Sequence, residues 1–201
     1  MKPISTGNRS VQDLLHSMVE QKPRRVTDMD PSSDNAECGY MKYQDGGVTP
    51  TDPKKLKKGL SHVESRGDYS AMNPTSSATG RYQMLYNLIK DQPEMSGVSR
   101  DSLSRAPELQ ELLMDKRISE GINGPSLSRN ASDLEKEYKH QLGDKWVFSD
   151  DEVAALTHFL GRQGTRKYFA SLRDGTEYEV PGQNKTPEEY LRLFNEGVNR
   201  K

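Results

Sequence analysis

From residue 52 to the end of the chain, helix-start and helix-stop signals recur at short intervals, and each start is followed by one apolar stripe. Asp52-Pro53 reads as an N-cap with proline at the first helical position, and Leu56, Leu60 and Val63 form the stripe behind it. A second pattern covers roughly 80–91 with Tyr82, Leu85, Leu88 and Ile89. A third covers roughly 107–120, with Pro107 at its head and Leu109, Leu112, Leu113 and Ile118 along it. Ser132 with Glu135 opens a fourth that Gly143 closes, and Ser149 with Glu152 opens a fifth that runs to Gly161. Thr165 starts a sixth with Tyr168, Phe169 and Leu172, ending near Gly175, and Thr186-Pro187 with Glu189 opens the last, with Tyr190, Leu193, Phe194 and Val198. Seven stripes with short connections predict a mainly α domain over 53–201 with little or no β, short strands fitting only around 73–82 and Thr176–Val180.

The chain as a whole has little apolar material. Its 18 Leu, 10 Val, 4 Ile and 4 Phe are 36 of 201 residues, below the roughly 20% under which disorder becomes a concern. The near-cancellation of 29 basic and 30 acidic residues removes the other half of the disorder signature. The shortage is concentrated in 22–52, an irregular tract rich in Pro, Ser, Asp, Gly and Asn. Before it, Val11, Leu14, Leu15, Met18 and Val19 mark a short amphipathic helix over 10–21, which needs either its own domain or a partner protein to pack on. Residues 1–52 are therefore read as an N-terminal arm. The even charge argues against a dedicated nucleic-acid binder, and no apolar run is long enough for a membrane span. The first residues lack the apolar core of a cleaved signal peptide. The single cysteine, Cys38, and the scattered His16, His62 and His140 show no metal-ligand spacing, and no cofactor is implied.

Chemistry is concentrated between His62 and Gln83. A helix whose stripe ends at Val63 places Glu64 at its C-terminus, where the helix dipole disfavours a carboxylate. Walled from water by Tyr69, Met72 or Tyr82, such a carboxyl would hold its proton to near-neutral pH, as a general acid must. Gly80 would permit a close approach at the head of the next helix, and Gln83, one turn in, offers an acceptor and donors to an amide-bearing ligand. The Lys54, Lys55, Lys57, Lys58 cluster reads as a solvated face or as an attractor of acidic peptides.

At these residues the chain resembles the soluble lytic transglycosylases, especially those carried by bacteriophages. Glu64-Ser65 matches the family's first motif and Gly80-Arg81-Tyr82-Gln83 its Gly-x-x-Gln. The intervening Ala71-Met72-Asn73-Pro74-Thr75-Ser76 and Ala78-Thr79-Gly80 keep the family's order, and the closing Lys185–Asn199 segment is also similar. Thr157-His158-Phe159-Leu160-Gly161 falls where the family has Ala-Tyr-Asn-x-Gly, so its Tyr lands on His158 and its Asn on Phe159. A family serine between the first two motifs lands on Asn73, Pro74 or Thr75.

The resemblance implies a lysozyme-like fold that cleaves the β-1,4 bond between N-acetylmuramic acid and N-acetylglucosamine, closing a 1,6-anhydro ring. It implies Glu64 as the single catalytic acid and base, and Gln83, Tyr82, Ser65, His158 and Asn73 as substrate-binding residues. The expected partners are peptidoglycan strands and, through residues 1–50, a phage tail or ejection protein. The expected setting is a virion acting at the host cell wall.

Two other readings stay open. A hydrolytic muramidase needs a second carboxylate, for which Asp68 is nearest in sequence and Glu94 and Asp101 can approach through the fold. A catalytically inactive structural virion protein would keep the fold alone. A carbohydrate-binding module is weaker, since Trp146 is the only tryptophan.

Overall fold

The computed structural model describes residues 52–180, 182 and 185–200; the helix expected over 10–21 and the rest of the arm lie outside the described residues. The architecture is mainly helical with one small sheet. In chain order it comprises α1 (Pro53–Ser65), β1 (Ala78–Thr79), β2 (Met84–Leu85), α2 (Tyr86–Ile89), α3 (Arg100–Ser104), α4 (Pro107–Ser119), α5 (Leu127–Leu142), α6 (Asp150–Asp174) and α7 (Pro187–Asn199). Single 3-10 turns lie at Pro93–Met95 and Gly143–Lys145.

Local chemistry explains most helix ends. Asp52 accepts from the backbone N–H of Lys54 at 2.9 Å, and Ser149 with Glu152 forms the full reciprocal capping box at the head of α6. Thr186 caps α7 by accepting from the Glu189 N–H at 3.2 Å, with Pro187 at the first helical position. Gly161, at φ 68° and ψ 165°, breaks α6 where a helix stop was expected, a conformation that any Cβ would oppose. The C-terminal half of α6 resumes immediately and ends at Gly175 in the left-handed region.

Three expectations are corrected, and one helix was not foreseen. The pattern at 80–91 is not a helix: Gly80–Gln83 is the turn of a hairpin, with Ala78 paired to Leu85 and Thr79 to Met84, and only Tyr86–Ile89 is helical. Positive φ at Gly80 (80°) and Gln83 (46°) is incompatible with helix, and burial of Met84 beside exposed Leu85 follows strand alternation. Helix α5 starts at Leu127, capped by Ser126, rather than at Ser132. No strand forms at Thr176–Val180. Helix α3 was unforeseen; its Arg100 fastens the hairpin, donating to Thr79 Oγ1 at 2.7 Å and to the carbonyls of Asn73 and Ala78, each at 2.8 Å.

The core runs through Leu56 and Leu60 of α1, Leu113 and Met114 of α4, Leu134 of α5 and Leu156 and Phe169 of α6, all fully buried. Each such side chain contributes roughly 1.5–3 kcal/mol relative to exposure. Tyr138, Trp146, Phe148 and Tyr168 gather around Phe169, so the lone tryptophan is a packing residue, 5.2 Å ring to ring from Phe169. Helices α1 and α7 meet at two glycines. A Cβ on Gly59 would lie 2.3 Å from the Phe194 ring, and one on Gly197 would lie 2.5 Å from His62 Cβ. This close crossing carries Tyr190 to the end of α1. Among the described residues no helix is long and apolar enough to cross a membrane.

Candidate active site

Glu64 occupies the last turn of α1. The helix closes at Arg66 in the left-handed region (φ 58°), where the N–H groups of Arg66 and Gly67 donate to the carbonyls of His62 and Ser61. The helix end thus presents a carboxyl where partial negative charge already gathers. The Glu64 side chain is only 18% exposed. Burial pushes its pKa up to about 7, against the opposing pull of a hydrogen bond from Tyr190 and the charge of Lys185. Both protonation states are therefore populated near neutrality.

Tyr190 of α7 donates its hydroxyl to Glu64 Oε1 at 2.5 Å. The Tyr190 ring is stacked on Phe159 of α6 with centroids 4.2 Å apart and planes 9° from parallel, which fixes the direction of the hydroxyl. Phe159 and His158 stand where the resemblance places Asn and Tyr. A hydroxyl does reach Glu64, but from the last helix.

His158 packs against Glu64, its Nε2 3.8 Å from Glu64 Oε1, with a side chain 6% exposed. Nε2 lies 2.9 Å from the carbonyl oxygen of Tyr82, which can only accept; Nε2 therefore carries the proton and donates, and Nδ1 is buried without a partner. Burial, then the nearby charge of Arg117, drive the His158 pKa down to about 3. At neutral pH it is uncharged, and its contact with Glu64 is not an ion pair. This places His158 as a strut between Glu64 and the hairpin turn rather than as a wall open to a ligand.

The turn itself is held by α4. Gln110, 1% exposed, accepts from the Arg81 N–H at 2.7 Å and donates to the carbonyls of Tyr69 and Leu103 at 3.0 and 2.8 Å. A Cβ on Gly80 would lie 2.2 Å from Gln110 Oε1, so the glycine makes room for this amide rather than for a ligand. Glu111 Oε1 accepts from the hydroxyls of Tyr69 (2.8 Å) and Tyr82 (2.7 Å), and Oε2 pairs with Lys57 at 2.8 Å. Burial alone would raise the Glu111 pKa, but hydrogen bonds from Lys57, Tyr82 and Tyr69 outweigh it and hold the carboxyl below its ordinary range.

The expected binding residues therefore separate. Ser65 donates to the Arg81 carbonyl at 2.8 Å and lines the groove beside Glu64. Tyr82, 1% exposed with its hydroxyl on Glu111, is a core residue. Asn73 Oδ1 accepts from the N–H and hydroxyl of Thr75, each at 2.9 Å, and organises its own loop. Gln83 spends its amide protons on the carbonyls of Gly80 (2.9 Å) and Ala71 (3.3 Å), leaving its Oε1 without a donor among the described residues. Gln83 does not line the groove at Glu64; it is connected to Glu64 through Tyr82 and His158.

The groove, about 740 Å³, lies between the end of α1 and one face of α7, with Glu64, Ser65 and Arg66 on one side, Leu193, Glu196 and Arg200 on the other, and Lys185 joining them. Glu196 is the second carboxylate there, ion-paired to Arg192. The three carboxylates considered from sequence are engaged elsewhere. Asp68 is exposed and accepts from the N–H and hydroxyl of Ser70, Glu94 pairs with Lys116 at 2.7 Å, and Asp101 pairs with Arg105. Lys57 and Lys58 are likewise committed, to Glu111 and Asp115 and to the carbonyls of Val198 and Arg200. Among the described residues no group of three His, Cys, Asp or Glu is placed to hold a metal ion.

No protein-family model, curated protein or solved structure matches the chain. Tyr190, Arg117, Gln110 and Glu111 were not anticipated as site residues. Tyr190 lies 126 residues from Glu64 and carries only the signature of an apolar stripe.

Proposed function

We propose that the protein is a peptidoglycan lytic transglycosylase with Glu64 as its acid and base. The observation that carries this reading is a largely buried carboxyl with a pKa of about 7, opening on a groove and held by a tyrosine hydroxyl at 2.5 Å. Protonated Glu64 gives its proton to the glycosidic oxygen as the bond to the muramic C1 breaks. The resulting carboxylate, stabilised by the Tyr190 hydroxyl, removes the proton of the muramic 6-hydroxyl, and O6 closes on C1. No water is consumed, and Glu64 ends protonated. Gln83 stands outside that groove and bears on Glu64 only through the turn that Tyr82 and His158 join to it. A lysozyme-like fold and delivery in a phage particle, with residues 1–50 on a tail or ejection protein, belong to the same proposal; detection in purified particles tests the delivery.

Glu196 in the same groove favours one second reading, a hydrolase in which that carboxylate activates water. Digestion of Gram-negative peptidoglycan by the protein and by Glu64→Gln, with product ends identified by mass spectrometry, decides. Anhydro-muramyl ends lost in the variant support the transglycosylase, and reducing ends point to Glu196. No product from the wild-type chain overturns the enzyme reading and leaves the structural virion protein.

A further inference from the structure

The chain as a whole has a net charge of −1, yet three cations converge on the groove at Glu64. Arg66 extends from the end of α1, Lys185 from the segment before α7, and Arg200 from the end of α7. None of the three side chains is paired with a carboxylate among the described residues. Elsewhere in the domain five basic side chains that are partly buried, Lys57, Arg81, Lys116, Arg162 and Arg166, each meet an acidic side chain within 3.3 Å. The one acidic side chain on the rim, Glu196, is occupied by Arg192. Three unneutralised cations around one concave surface leave a local positive potential, which low-dielectric walls concentrate.

We infer that Arg66, Lys185 and Arg200 form a carboxylate-binding rim that takes the acidic peptide stem of a glycan strand seated over Glu64. The inference rests on the proposed peptidoglycan reading and adds a specificity to it: strands with peptide stems are favoured over bare glycan. A stem carries several carboxylates along one short chain, so no single deep pocket is required. Arg66 and Arg200 are exposed and Lys185 half-buried, which suits contacts made at the mouth of the groove rather than at the bond being cut. Lys185 also touches the chemistry, since its charge draws the Glu64 pKa downward. A stem carboxylate neutralising Lys185 would weaken that pull and help Glu64 keep its proton until cleavage.

The test uses the full chain carrying Glu64→Gln, so that binding is read without turnover. Titration calorimetry compares a disaccharide tetrapeptide with the same disaccharide lacking its peptide. The tetrapeptide form should bind about tenfold more tightly, as expected for a few solvent-screened charge pairs. Adding Arg66→Ala, Lys185→Ala and Arg200→Ala together should bring the two affinities within about threefold, and raising salt should narrow the gap in the same direction. Circular dichroism checks that the variant is folded, and Lys185→Glu alone supplies a second, milder probe that should weaken the tetrapeptide selectively. Equal affinity for both ligands in the parent overturns the inference. So does a poly-glutamate of matched charge that binds as well as the stem, which would leave a general polyanion surface. Because cleavage plays no part in this readout, an inactive wild-type enzyme defeats the transglycosylase reading without touching the binding result.

Discussion

The Tyr190 hydroxyl and the Glu64 carboxylate meet at 2.5 Å, joining the last turn of α1 to the first turn of α7. The contact depends on features that lie apart in the chain. Gly59 and Gly197 let the helices close on each other, and Phe159 holds the phenol ring flat. A hydrogen bond to the ionised carboxyl offsets part of the burial that raises its pKa.

Tyr190→Phe removes that bond while keeping the stack on Phe159. The Glu64 pKa should rise further, and the high-pH limb of any activity should move upward with it. A bond to a charged group is worth about 1.5–3 kcal/mol, so activity at neutral pH should fall about 10- to 100-fold. A pH–rate profile checks this; an unmoved limb would show that the phenol does not bear on the ionisation of Glu64.

Glu64 should also be visible in stability. Its folded pKa of about 7 lies above the ordinary 4.5. Between these values the folded state holds a proton that the unfolded state has lost, so raising the pH through this window lowers stability. Glu64→Gln removes the penalty. Thermal melts should show the variant more stable than wild type at pH 8, by up to about 3 kcal/mol, with the difference vanishing near pH 4.5. A variant less stable than wild type at pH 8 would contradict the burial argument.

The parts of the fold legible in the sequence are those set by local chemistry. Asp52, Pro107, Ser149 with Glu152, and Thr186 mark helix starts because their signals act within one turn. Glu64 was legible for the same reason, as a carboxylate placed by a helix end. The hairpin was not. Tyr82, Leu85 and Ile89 have helical spacing, and what overrides it is Gln110, 27 residues beyond Gln83, whose amide occupies the space above Gly80 and holds Arg81. Tyr190 at the site was hidden for the same physical reason: a residue that completes a site from a distant helix looks like any other member of an apolar stripe.

Gly80→Ala tests that long-range control. The added methyl would sit 2.2 Å from Gln110 Oε1 on a backbone at φ +80°. The substitution should destabilise the domain by roughly 1–3 kcal/mol through strain at this turn. Because Tyr82 of the same turn accepts from His158, which packs on Glu64, activity should fall by more than the loss of folded protein explains. Denaturant melts together with activity per folded molecule separate the two effects; a variant with wild-type stability would mean that the turn yields cheaply.

Arg117 is the least expected group near the site. It lies on α4, its Nε is buried without a hydrogen bond, and no carboxylate pairs with it among the described residues. Burial lowers its own pKa, and its charge is the second cause, after burial, of the depressed His158 pKa. An uncompensated guanidinium in partly dry surroundings is a liability, and an apolar residue of similar length should be tolerated or preferred. Arg117→Met should therefore raise stability by roughly 1 kcal/mol, or about 2–4 °C in the melting temperature. It should also lift the His158 titration from about 3 while leaving it below 6.5, because the larger cause, burial, remains. Thermal melts and histidine ring resonances followed against pH read both effects. A melting temperature that drops by several degrees would show that the guanidinium stabilises the fold, and a stationary His158 titration would show that its charge does not reach the ring.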